Sequence, residues 1–99
     1  MRMMLKVTIP VEAGNRTIKD GSLPKAMQAA MQSLKPEAAY FLAEDGLRTA
    51  MFFFDMKDAS QIPAIVEPLF MGMNAGVRLT PAMNSADLEK GLKQAAKAF

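Results

Sequence analysis

The chain has no cysteine, no histidine and no tryptophan, and only one tyrosine. Without cysteine there is no disulfide, thiolate nucleophile, iron–sulfur cluster or thiolate zinc site. Without histidine there is no Ser-His-Asp triad, no histidine-bound metal and no proximal-histidine haem. No metal and no cofactor is therefore expected. Charge of one sign is also scarce: twelve Lys and Arg against ten Asp and Glu leave a formal charge of +2. Nucleic-acid binding usually calls for a clustered basic face, so no nucleic-acid partner is expected. Long apolar runs are missing as well. Ala50–Phe54 and Ile62–Met73 fall well short of the ~20 residues that span a bilayer. Lys6 interrupts the apolar start, so no signal peptide is read there. The expectation is a soluble, cytoplasmic protein with no membrane partner.

What is present is 99 residues, 51% apolar, including ten Met and six Phe. No repeat or linker divides the chain, so residues 1–99 read as one domain. Met3–Pro10 alternates, with Leu5, Val7 and Ile9 on one side and Met4, Lys6 and Thr8 on the other, which predicts a strand. Val11–Gly21 holds Gly14-Asn15 and Lys19-Asp20-Gly21 with little apolar content, and reads as a long loop. Ser22 then predicts the cap of a helix whose stripe is Leu23, Met27, Ala30, Met31 and Leu34, closed by Lys35-Pro36.

Ala38–Glu44 and Leu47–Met56 read as two strands around an Asp45-Gly46 hairpin turn. Asp58 or Ser60 caps a second helix bearing Ile62, Ile65, Val66, Leu69 and Phe70. In it Pro63 must lie in the first turn, and Pro68 marks a kink or restart. Val77–Met83 is a fourth strand. Asn84 or Ser85 caps a final helix with Leu88, Leu92, Ala95, Ala96 and Phe99 on its apolar side and Glu89–Lys93 paired on the other. The order is β-α-β-β-α-β plus a C-terminal helix, an α+β ferredoxin-like antiparallel sheet.

In that topology the first and third strands are central. The third is apolar on both parities at Ala50-Met51-Phe52-Phe53-Phe54, so both of its faces should be covered. The chain's helices cover one face and no segment is left for the other. A homodimer follows as the expectation.

The helix end Glu67-Pro68-Leu69-Phe70-Met71-Gly72-Met73, running into Val77-Arg78-Leu79, resembles the dimeric α/β-barrel superfamily. The Pro-Leu-Phe step with a Met beyond it is similar to the muconolactone isomerase pattern within that superfamily, which also holds small antibiotic-biosynthesis-type monooxygenases. The whole chain, through Pro36-Glu37-Ala38-Ala39-Tyr40-Phe41 and Pro81-Ala82-Met83-Asn84, also resembles a group of uncharacterised bacterial proteins of this size. The resemblance implies two sheets packed face to face in a dimer and a ligand cavity between sheet and helices. It implies, as one alternative, a cofactorless isomerase or monooxygenase. The histidines that several of these enzymes use have no counterpart here, and fold alone does not fix function.

Each candidate residue carries two readings. Lys6, Thr8, Arg78 and Thr80 share the parity opposite the apolar one; they form a cationic pocket for an anion, or pair with carboxylates across strands. Tyr40, with Arg48 across the hairpin, orients a ligand or acts as a weak acid, or else anchors its hydroxyl to a neighbour. Glu67 is a general base if its turn desolvates it, or reaches solvent. Asn15 and Arg16 close over a bound anion, or belong to an ordinary loop. The methionines are core filler, though Met71, Met73 and Met83 together would suit a flat apolar ligand. The ligand-binding set is thus Lys6, Thr8, Arg16, Tyr40, Arg48 and Arg78, and Tyr40, Arg48 and Glu67 are the catalytic candidates. The favoured function is a homodimer that binds a small apolar or aromatic molecule, with or without an anionic group. The alternatives are the enzyme above and a structural or interaction domain with no ligand.

Overall fold

The computed structural model describes residues 1–99. Strands β1 (Arg2–Ile9), β2 (Ala38–Glu44), β3 (Leu47–Asp55) and β4 (Gly76–Pro81) form one antiparallel sheet in the order β2-β3-β1-β4. Helices α1 (Val11–Lys19) and α2 (Ser22–Leu34) lie between β1 and β2, α3 (Ile62–Met73) between β3 and β4, and α4 (Ser85–Ala96) ends the chain. The chain is α+β and compatible with a ferredoxin-like fold, with β1 and β3 central. No helix is long and apolar enough to cross a membrane.

The alternation in β1 is expressed in full. Met3, Leu5, Val7 and Ile9 are buried, and the intervening residues are half-exposed. Leu5 sits beside Phe52 and Val7 beside Ala50 across the β1–β3 ladder, so the core runs down the middle of the helix-covered face. Phe41, on the edge strand, meets the Phe52 ring edge to face with centroids 5.9 Å apart.

The stretch expected as a loop is helix α1. Its buried side is made of small residues, Ala13, Gly14 and Thr17, which give little hydrophobic signal. The Thr17 hydroxyl is satisfied within the helix, donating to the Ala13 carbonyl at 2.8 Å. Gly14 has no Cβ to keep Arg48 away: one built there would stand 2.5 Å from Arg48 Nη1. The break to α2 falls at Gly21, whose φ of 82° favours glycine. Ser22 is not the cap. Asp20 Oδ1 accepts from both the Ser22 N–H and its hydroxyl, and these bonds, the hydroxyl first, hold the Asp20 carboxyl below its ordinary pKa.

The remaining turns follow their residue chemistry. Asp45 and Gly46 both have positive φ, 55° and 76°, as a type I′ hairpin requires. Asp58 accepts from the Ser60 N–H at 2.8 Å and opens a short 3₁₀ turn, Ala59–Gln61, that leads into α3. Pro63 lies in the first turn of α3, and Pro68 sits inside a helix that continues to Met73. Asn84 caps α4 by accepting from the Asp87 N–H at 2.8 Å.

Two apolar faces are left open within the single chain. No residue of α4 is buried, and Leu92 is 59% exposed. The apolar stripe of α4 is present, but none of it is buried within the chain. On β3, Phe52 and Phe54 are buried while Met51 and Phe53, pointing the other way, are only half-buried. Helices α1, α2 and α3 all lie on the Phe52 side.

Candidate functional site on the open sheet face

Strand register decides which candidates meet. Arg78 pairs with Lys6, Lys6 with Met51, and Met51 with Tyr40, so one row crosses all four strands. The next row is Gly76, Thr8, Thr49 and Leu42. Side chains in register on neighbouring strands share a face. Lys6, Thr8, Tyr40 and Arg78 therefore stand together on the open face, beside Met51 and Phe53. At a strand spacing of about 4.8 Å, Arg78 and Tyr40 are roughly 14 Å apart at opposite ends of the row.

The electrostatics of this row are unequal. Lys6 and Arg78 are like charges directly opposite each other, an arrangement that costs stability unless anions answer it. Lys6 reaches along the face to the Glu44 carboxylate and pairs with it. Arg78 is exposed and forms no ion pair. A shallow hollow of about 210 Å³ lies between them, lined by Lys6, Thr8, Gly76, Val77 and Arg78. The arrangement offers an unpaired planar guanidinium at the β4 edge, the Glu44-paired Lys6 and the Thr8 hydroxyl beside it on β1, an apolar floor at Met51 and a phenol at the β2 edge.

The other candidates lie elsewhere. Arg48 is on the helix-covered face, where its guanidinium donates to Asn15 Oδ1 at 3.1 Å and approaches the Val11 carbonyl at 3.5 Å. The Tyr40 and Arg48 side chains are thus on opposite faces of the sheet. Arg16 is exposed on α1 rather than on a closing loop. Glu67 is exposed on α3, so the desolvation that a general-base role needs is absent. The three catalytic candidates do not converge. Nor do the methionines: Met73 is in the core, while Met71 and Met83 are 77% and 68% exposed. No cluster of three or more acidic side chains is placed to hold a metal ion.

A second hollow went unread in the sequence. Between α2 and α3, above Leu5, lies a groove of about 240 Å³ walled by Ala26, Ala30, Ile65, Pro68 and Leu69. Ser33 is the one polar side chain on it. The signal was the run of alanines in α2 opposite Ala64 and Pro68, small side chains that leave two helices apart without filling the gap.

Compared with known proteins, the chain matches no family model, no curated protein and no solved structure.

Proposed function

We propose that the protein is a homodimer of the dimeric α/β-barrel kind that binds a small molecule with an apolar body and an anionic group on the open sheet face. The observation that carries this reading is the row Arg78–Lys6–Met51–Tyr40. Arg78 and Lys6 would hold the anion, Met51 and Phe53 would take the apolar body, and Tyr40 would meet its far end. An exposed sheet binds a small molecule weakly, because ligand sites bury most of their ligand. A second subunit over this face would supply the missing wall.

A second reading rests on the α2–α3 groove. Its volume and nearly apolar walls suit a compact hydrocarbon-like molecule and supply no groups for catalysis.

The test is a native mass spectrum of the protein as purified, followed by titration with cinnamate as a probe of an apolar anion. A mass of two chains, with an extra mass that leaves on denaturation, supports the reading. Arg78→Ala and Tyr40→Phe should weaken cinnamate binding while leaving the fold intact. Loss of binding on Ala30→Phe, with Arg78→Ala silent, would move the site to the groove. A monomer that binds nothing would remove both.

A further inference from the structure

We infer that α4 is an arm that packs on a second copy of this chain, so that the open-face site is bordered by a helix donated from the partner. The inference rests on the homodimer reading above and adds the element that completes it.

The first argument is the state of the helix itself. Isolated helices of about 12 residues are marginal in water, because propagation barely offsets nucleation. In this chain α4 has 12 residues and none is buried. Its side chains are nevertheless sorted. Leu88 and Leu92 lie along one side and are 46% and 59% exposed, and Phe99, beyond the end of the helix, is exposed as well. Glu89, Lys90, Lys93 and Lys97 take the rest of the surface, with Glu89 and Lys93 paired at 3.4 Å. A sequence that needed only a solvated tail has no use for such a stripe.

The second argument is area. The chain exposes 6701 Å², whereas a compact monomer of 10.8 kDa exposes about 5,500 Å². Its radius of gyration is 15.9 Å, against about 13 Å for a compact domain of this length. The excess of about 1,200 Å² exceeds the ~800 Å² that each partner buries in a standard interface. That excess includes the charged side of α4, and what is left for its apolar side and the open face is of the order that each partner buries in a standard interface.

The third argument is continuity. Asp87, in the first turn of α4, accepts from Arg2 Nη1 at 3.0 Å, and Arg2 belongs to the open face. The base of the arm is thus tied to the same surface that carries Met51 and Lys6. A partner seated at the Arg2 end of that face meets the base of α4. Each chain offers one arm and one open face, and a two-fold pair uses both in equal number and leaves neither exposed. An unrelated partner would have to match both surfaces at once.

The test uses the full chain. Native mass spectrometry and sedimentation across a concentration series should give a wild-type dimer, and the double variant Leu88→Asp/Leu92→Asp should raise the dissociation constant at least about 100-fold. Both side chains are exposed in the single chain, so the variant should keep its far-ultraviolet spectrum. Hydrogen exchange on the wild type gives a check that needs no variant: amides of residues 88–96 should be protected at high protein concentration and lose that protection on dilution. If the double variant dimerises as the wild type does while Met51→Lys does not, the arm is refuted and the homodimer reading stands. A wild type that is monomeric throughout refutes both. A monomer whose α4 becomes protected only with anionic phospholipid vesicles refutes the arm in favour of a membrane-surface helix.

Discussion

The Asp87 carboxylate joins two parts of the molecule, because its Oδ2 accepts from Arg2 Nη1 at 3.0 Å and from the Asn84 N–H at 3.1 Å. Arg2 in turn donates from Nε to Glu37, at the start of β2. One carboxylate therefore closes the capping box of α4 and fixes the helix to the sheet. Both bonds favour the charged guanidinium, Glu37 most strongly, and raise the Arg2 pKa further. Asp87→Ala should loosen α4 by about 1 kcal/mol, roughly a fivefold rise in amide exchange over its first two turns. The core amides of β1 and β3 should not change. Equal acceleration in the core would mean that α4 is integral to the folded body.

Gly14 faces the far end of a flexible side chain, and the sign of Gly14→Ala follows from comparing two small effects. Alanine inside a helix is favoured over glycine by about 1 kcal/mol. Against that, the new Cβ would stand 2.5 Å from Arg48 Nη1, so the guanidinium must shift and loosen its exposed bond to Asn15, a contact worth about 1 kcal/mol at the surface. The variant should melt within a few degrees of the wild type while the Arg48 side-chain resonances move. Gly14→Leu, whose bulk extends past the guanidinium, should lower the melting temperature markedly.

Phe52 is fully buried between β1 and the helices, whereas Phe41 is 59% exposed at the edge. Phe52→Ala should cost about 3–5 kcal/mol, a fall of more than roughly 12 °C for a chain of this size. Phe41→Ala loses part of one aromatic contact, about 1 kcal/mol. Thermal melts of the two variants should differ several-fold in their shift. Comparable shifts would mean that the edge is buried in the assembled protein, as a second subunit over β2 would make it.

These contrasts show which features were legible in the sequence. The β1 alternation and the two-sided apolar run of β3 identified the central strands, because burial on a sheet is written with period two. The Asp45-Gly46 turn was legible because few dipeptides accept positive φ twice. Helix α1 was not, because its buried side is Ala13, Gly14 and Thr17, and small residues contribute little to a hydrophobic pattern even where they pack closest. For the site, parity grouped Lys6, Thr8, Arg78 and Thr80, which the register puts on one face, and pairing then added Tyr40 to them. Parity alone could not part Tyr40 from Arg48. Their separation depends on the pairing of Tyr40 with Met51 and of Arg48 with Ala43, an odd offset that sends the side chains to opposite faces.

Asp55 stands between two cations at the end of β3. Its carboxylate accepts from Lys57 Nζ and from the Met1 ammonium, each at 2.6 Å. These bonds, Lys57 first, lower its pKa from the ordinary 3.8 to about 2. A folded-state pKa below the unfolded one means that the ionised group stabilises the fold above about pH 4 and that this contribution is lost as pH falls through about 2. Asp55→Asn should therefore melt below the wild type at pH 5, with the gap closing as the pH falls from 4 to 2. The carboxylate is exposed, so the gap should also shrink in high salt. Melts of both proteins between pH 1.5 and 5, at two ionic strengths, test this. A gap unchanged at pH 2 would locate the effect of the substitution in packing or in the unfolded chain rather than in the charge of Asp55.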